Sequence, residues 1–170
     1  MTVWVALLMA FGLPAVTGKA NVYFFVIHDC PISNSYAREI ARICADYQPK
    51  GIACKLVYVD PSLTDEQAHK HAAEYAHGDY PRIVDRKHEI VKATGATITP
   101  EALVVNAAGT VLYRGRIDDS FAALGQPRRA VHSPDLRNAL DAVVAGRAVE
   151  KPQTKALGCY ISDLALSSKP

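Results

Sequence analysis

The sequence is short of several things that would announce a function. It has four cysteines in 170 residues, Cys30, Cys44, Cys54 and Cys159, too few and too scattered for a disulfide-stapled scaffold. It has little excess of either charge. The formal net charge is +2, with Lys and Arg spread along the chain, so no basic stripe is offered to nucleic acid. Internal repeats and low-complexity runs are absent, which excludes a solenoid or a disordered array. What is present is ordinary for a globular domain: 49% hydrophobic and 21% charged residues, over a length that can bury one sizeable core.

Long apolar runs are also missing, with one exception at the start. "VWVALLMAFGLPAV" (3–16) is short for a membrane span, which needs about 20 apolar residues. It suits the core of a secretory signal, and the small residues Gly18 and Ala20 place cleavage after Ala20. No Lys or Arg precedes the run, so a retained anchor or a structured first segment stays open beside that reading. Export would give a periplasmic or secreted protein, off the membrane once residues 1–20 are removed, with its thiols in an oxidising compartment.

From residue 21 the periodicity changes several times. "NVYFFVI" (21–27) and "ACKLVYVD" (53–60) are β-branched, aromatic and continuously apolar, as strands buried on both faces are. Between them, Tyr36, Ile40, Ile43, Cys44 and Tyr47 form one face of a helix running from Ser33 to the Pro49-Lys50-Gly51 stop. Thr64 and Gln67 make a capping-box pair for a helix to about Ala76. A short strand (82–85) and a short helix (88–95) follow. "EALVVN" and "TVLYRGR" then read as a hairpin turning at Ala107–Gly109. Residues 126–134 read as a loop and 135–146 as a helix with Leu136, Leu140, Val143 and Val144 inward. Residues 147–170 look irregular. The order strand–helix–strand–helix, then hairpin–helix, implies an α/β fold with a mixed central sheet and helices on both faces.

Cys30 stands where the first strand gives way to the first helix, in "HDCPISNSY" (28–36). First-turn N–H groups point toward that place, and the helix dipole adds positive potential, so both favour thiolate over thiol. Pro31 fits the first helical position. Many redox enzymes carry a second cysteine three residues on, but this chain has Ser33, which can cap the helix or donate to sulfur yet cannot close a disulfide. Thr99-Pro100, directly before a strand, marks a fixed turn.

Together "VYFFVI", "DCPIS", "ITPEALVV" and "GTVLYRGRIDD" resemble the thioredoxin-like superfamily, in its redoxin branch with alkyl hydroperoxide reductase and thiol-specific antioxidant proteins. The resemblance spans residues 21–146 and implies a thioredoxin-like three-layer fold. It implies a cis Thr99-Pro100 bond packed beside Cys30, with the Thr99 backbone free to hold a substrate chain. It also implies that Arg116 lines the cleft rim, where it favours a thiolate or an acidic substrate group. Two departures bear on the reaction. The dithiol pattern Cys-x-x-Cys is here Cys-Pro-Ile-Ser, and the threonine that peroxiredoxins keep three residues before the reactive cysteine is here Ile27.

Cys159 in "LGCYI" offers a remedy for the first departure. Residues 147–158, fully extended, span about 40 Å, so Cys159 can reach Cys30 and serve as its resolving thiol. The leading expectation is therefore a thiol–disulfide oxidoreductase without a cofactor, acting on a protein thiol or disulfide or on a small oxidant. The alternatives are a copper-binding or metalloprotein-docking module using Cys30, Cys159 and His28, an atypical thiol peroxidase, or a partner-binding scaffold that lost its second thiol. Cys44 and Cys54 fall on apolar stripes and read as core. His69, His71 and His77 read as a solvated helix face.

Overall fold

The structure, a computed structural model, describes residues 19–161. The apolar run and nearly all of the expected signal segment (1–20) lie outside the described residues, as does the tail beyond Ile161. The chain runs β1 (Ala20–Val26), α1 (Pro31–Ser35), α2 (Ala37–Tyr47), β2 (Ile52–Tyr58), α3 (Asp65–Glu74), β3 (Arg82–Val84) and α4 (Glu89–Thr94). It continues through β4 (Ile98–Thr99), β5 (Glu101–Asn106), β6 (Val111–Gly115), β7 (Phe121–Ala123), β8 (Gln126–Pro127), α5 (Asp135–Val144) and β9 (Cys159–Tyr160).

Five strands form one mixed sheet in the order β3-β2-β1-β5-β6. β1 lies at its centre, parallel to β2 and antiparallel to β5, and every residue of it is buried. That is why its sequence shows no polar alternation: both faces are covered. Val22, Phe24 and Val26 pack on one side with Ile40, Ile43, Cys44 and Tyr47 of α2 and Leu136, Ala139 and Leu140 of α5. Tyr23 and Phe25 pack on the other with Val57, Val91, Leu103 and Val105. Each fully buried Leu, Ile, Phe or Val here contributes about 1.5–3 kcal/mol of transfer free energy. Cys44 and Cys54 are free, buried thiols in the first of these layers, as their stripes imply.

The capping box of α3 is made in both directions: Thr64 Oγ1 accepts from Gln67 N at 3.1 Å, and Gln67 Oε1 accepts from Thr64 N at 2.8 Å. Three expectations give way. The helix from Ser33 to Tyr47 is two helices, broken at Tyr36, whose hydroxyl donates to Asp118 Oδ1 at 2.6 Å. The segment 126–134 is not all loop, because β8 pairs with β7. The histidines do not share one solvated face: His69 is exposed as expected, but His71 is buried, and its ring stacks on Tyr75 at 4.6 Å. α3 turns Ala68, His71 and Ala72 inward, a stripe of small residues and one histidine with little hydrophobic signal.

Candidate redox site

The end of β1 and the start of α1 place Cys30. Its backbone is extended (φ −86°, ψ 112°), and it is itself the residue before the helix, with its carbonyl accepting from Asn34 N at 3.0 Å. Pro31 occupies the first helical position, where its missing N–H costs nothing. Ser33 lies inside α1, buried, with a hydroxyl that has no hydrogen-bond partner among the described residues. The capping or sulfur-donating role expected of it is not made.

Cys30 is joined to Cys159 by a disulfide across 129 residues of chain, with Cα atoms 6.4 Å apart. Thr99-Pro100 is cis, and the Thr99 carbonyl oxygen sits 3.8 Å from Cys30 Sγ. A half-cystine has no proton to give, so this is a contact in the oxidised protein. Cys30 is only 2% exposed.

The tail that brings Cys159 here is mostly irregular, as the sequence suggested, yet it is zipped to the domain at two places. Upstream, Arg114 N donates to Pro152 O (2.8 Å) and Thr154 N to Arg114 O (2.9 Å), which extends the sheet past β6. Thr154 Oγ1 also accepts from Arg116 N (3.1 Å) and lies 2.7 Å from the Tyr113 hydroxyl. Gly115 permits this: a Cβ there would fall onto Thr154, 2.8 Å from its carbonyl carbon. Downstream, β9 pairs antiparallel with β4, Cys159 opposite Thr99 and Tyr160 opposite Ile98. Ile161 N donates to Thr97 O at 3.1 Å, and the Ile161 side chain enters the core. Between the two anchors, Gly158 lies against the cis turn. A Cβ on it would overlap the Thr99 carbonyl oxygen and stand 2.7 Å from the Thr99 carbonyl carbon.

Arg116 lines a cavity of about 240 Å³ shared with Tyr36, Pro100, Phe121, Lys155 and Leu157. Its guanidinium is committed to Asp135, Nε to Oδ2 at 2.7 Å, and not to sulfur. His28 turns to Asp60, Nδ1 to Oδ2 at 3.2 Å. Among the described residues no three His, Cys, Asp or Glu side chains are grouped to hold a metal. In this oxidised form the two sulfurs are bonded to each other and offer no thiolate to Cu(I).

Asn34 and His71 also shape the site, and neither stood out in the sequence. Asn34 Nδ2 donates to the His28 carbonyl (2.9 Å), tying the turn before Cys30 to α1. Its Oδ1 can only accept, so His71 Nε2 carries the proton in their 3.0 Å contact, and His71 Nδ1 accepts from Tyr58 OH at 2.9 Å. Burial holds His71 below the ordinary histidine range and, with the neighbouring charges of His71 and Arg82, brings His77 down to about 4. No motif marked Asn34. A lone Asn four residues after a cysteine on a helix is unremarkable in sequence.

A buried half-cystine at a strand–helix junction, a cis-proline turn against it and a central mixed sheet define a thioredoxin-fold protein. The redoxin family pattern matches residues 8–125, and the chain belongs to the redoxin family. Cys159 lies beyond the matched segment. Among solved structures, an uncharacterized conserved protein from Geobacillus kaustophilus is 30% identical, over 85% of this chain and 77% of that one, with a TM-score of 0.75. A hypothetical protein from Sinorhizobium meliloti 1021 is 28% identical, over 85% and 79%, with a TM-score of 0.73. A secreted Mycobacterium tuberculosis disulfide oxidoreductase, described as homologous to E. coli DsbE, is 17% identical, over 76% and 82%, with a TM-score of 0.52, a likeness of fold. No curated protein sequence matches significantly.

Proposed function

We propose that the protein is a thiol–disulfide oxidoreductase in which Cys30 is the nucleophile and Cys159 the resolving thiol. The observation that carries this is the Cys30–Cys159 bond lying against the cis Thr99-Pro100 turn. In the reduced protein the Cys30 thiolate attacks one sulfur of a substrate disulfide, and the other substrate sulfur leaves as a thiolate. Cys159, deprotonated, then attacks Cys30 Sγ and expels the second substrate sulfur. Two electrons pass to the substrate, and the enzyme is left in the oxidised form described here.

Ile27 supports a disulfide over a peroxide as oxidant, since its side chain has no group to hold a peroxide oxygen. The DsbE-like neighbour is a secreted disulfide oxidoreductase, and the apolar leader points the same way, to a periplasmic or secreted site of action on protein thiols. The test is turnover of a protein disulfide with a dithiol as electron source. Cys30→Ser should abolish it, and Cys159→Ser should stop at a mixed disulfide on Cys30. Activity of Cys30→Ser equal to wild type would refute the reading.

A further inference from the structure

We propose that Asn34 and His71 are positioning residues for Cys30: they hold the turn that carries it, so that ordering this turn is not left to the disulfide. The inference builds on reading Cys30 and Cys159 as the redox pair.

Asn34 grips the turn twice. Its backbone N–H donates to the Cys30 carbonyl at 3.0 Å, and its side-chain Nδ2 donates to the His28 carbonyl at 2.9 Å. Cys30 N closes the same turn on Ile27 O at 3.3 Å. The first grip is ordinary helix. The second belongs to a side chain, and its support comes from elsewhere in the fold. Tyr58 ends β2, in register with Val26 at the end of β1, and its ring is fully buried. Its hydroxyl reaches His71 Nδ1, and His71 Nε2 reaches Asn34 Oδ1. The His71 ring is 7% exposed and is held between Tyr75, stacked at 4.6 Å, and Tyr58, edge-on at 5.5 Å.

The protons run one way along this chain. The His28 carbonyl only accepts, so it selects the amide nitrogen of Asn34 and turns Oδ1 to His71. That requires the His71 proton on Nε2 and leaves Nδ1 to accept from Tyr58. One main-chain carbonyl of the reactive turn thus sets the direction of all three side-chain bonds. In the reduced protein no covalent bond holds Cys30 near Cys159. Any order the turn then lacked would have to be supplied as the disulfide formed, at an entropic cost for each residue fixed. The clasp supplies it beforehand and raises the effective concentration of one sulfur at the other. A network serving the fold alone would stabilise oxidised and reduced protein alike and leave the disulfide equilibrium unmoved.

The test is the disulfide equilibrium constant of the full chain in glutathione redox buffers, read by alkylation and mapped by mass spectrometry. Two protein thiols give two electrons to glutathione disulfide, the Cys30–Cys159 bond forms, and two glutathione thiols are released. Asn34→Ala and His71→Leu should each lower the constant about fivefold, the worth of about one net hydrogen bond. His71→Gln, which keeps an N–H for Asn34 Oδ1, should stay within twofold of wild type. Asn34→Ala combined with His71→Leu should fall no further than the lower single variant, because both remove the same grip. Asn34→Ala within twofold of wild type overturns the inference. So does a double variant whose fall is the product of the two singles, or a His71→Gln as low as His71→Leu. Should His71→Leu not fold, Asn34→Ala, at a half-buried position, decides alone. No substrate is turned over, so the result is separate from the Cys30→Ser assay. An active Cys30→Ser would refute the oxidoreductase reading and leave the clasp standing. An inactive Cys30→Ser beside an unmoved constant would refute the clasp and leave that reading intact.

Discussion

Gly158→Ala is the substitution for which the geometry gives the sharpest expectation. The new methyl group would overlap the Thr99 carbonyl oxygen and stand 2.7 Å from its carbon and 3.1 Å from Pro100 Cδ, where ordinary contact begins near 3.4 Å. The obstruction on Thr99 is backbone, between β4 and a buried proline, so it cannot swing aside. The tail has to move instead, by about 1 Å, away from the side on which Cys30 lies. The Cys30–Cys159 Cα separation is already 6.4 Å, and a pair beyond about 7 Å cannot be bridged without further backbone movement. Overpacking of this kind costs about 1–3 kcal/mol, which is about 5- to 150-fold in an equilibrium constant. The larger share of it falls on the oxidised form, because without the bond to Cys30 the tail can relieve the clash by giving up part of the β9–β4 pairing. The assay is the oxidised fraction across a series of glutathione redox buffers, read by alkylation and mass. The disulfide equilibrium constant should fall by at least fivefold, with a smaller loss in the unfolding free energy of the reduced protein than of the oxidised one. A constant within twofold of wild type would refute the claim that Gly158 is there to let the tail lie on the turn.

Two further outcomes follow from the charged groups. Arg116→Ala strips its partner from Asp135, which is buried and keeps only the Ser133 hydroxyl, so urea unfolding should show a loss of about 1–3 kcal/mol. Stability should also depend on pH through the histidines. His77 has a folded pKa of about 4, below the unfolded 6.5, so the unfolded chain binds more protons and stability declines as pH drops from 6.5 toward 4. The full shift is worth about 3 kcal/mol, and solvent around the half-buried ring reduces it to on the order of 1–2 kcal/mol. Glu101, raised by burial, opposes this slope, because its neutral form is favoured in the fold at low pH. The check is therefore a difference: urea midpoints at pH 7 and 4.5 should diverge less in His77→Asn than in wild type.

The sheet could be read from the sequence because its central strands are buried on both sides. Burial on two faces forces uninterrupted runs such as "NVYFFVI", which neither a half-exposed strand nor an amphipathic helix leaves behind. The reactive turn was readable for a similar reason, since Cys30-Pro31 and Thr99-Pro100 each fix backbone where the fold needs it. The tail was not. Its pairings involve two or three residues at a time, too few to leave a period, and its key residue is a glycine whose role is to occupy no space. His71 was missed because α3 meets the sheet through alanines, and a stripe of Ala68, His71 and Ala72 carries no amphipathic signature. The break at Tyr36 is dictated by a partner 82 residues away, Asp118, which no local pattern can report.

The anchor at Thr154 has one more effect. It is independent of the disulfide, and it stands only five residues before Cys159 (159 − 154), a tether of at most about 17 Å when drawn out. After reduction, Cys159 thus remains leashed within a small volume around Cys30, at an effective concentration in the millimolar range. A mixed disulfide formed on Cys30 always has a competing nucleophile at hand, so its lifetime is a property of the leash, whatever thiols the surroundings supply.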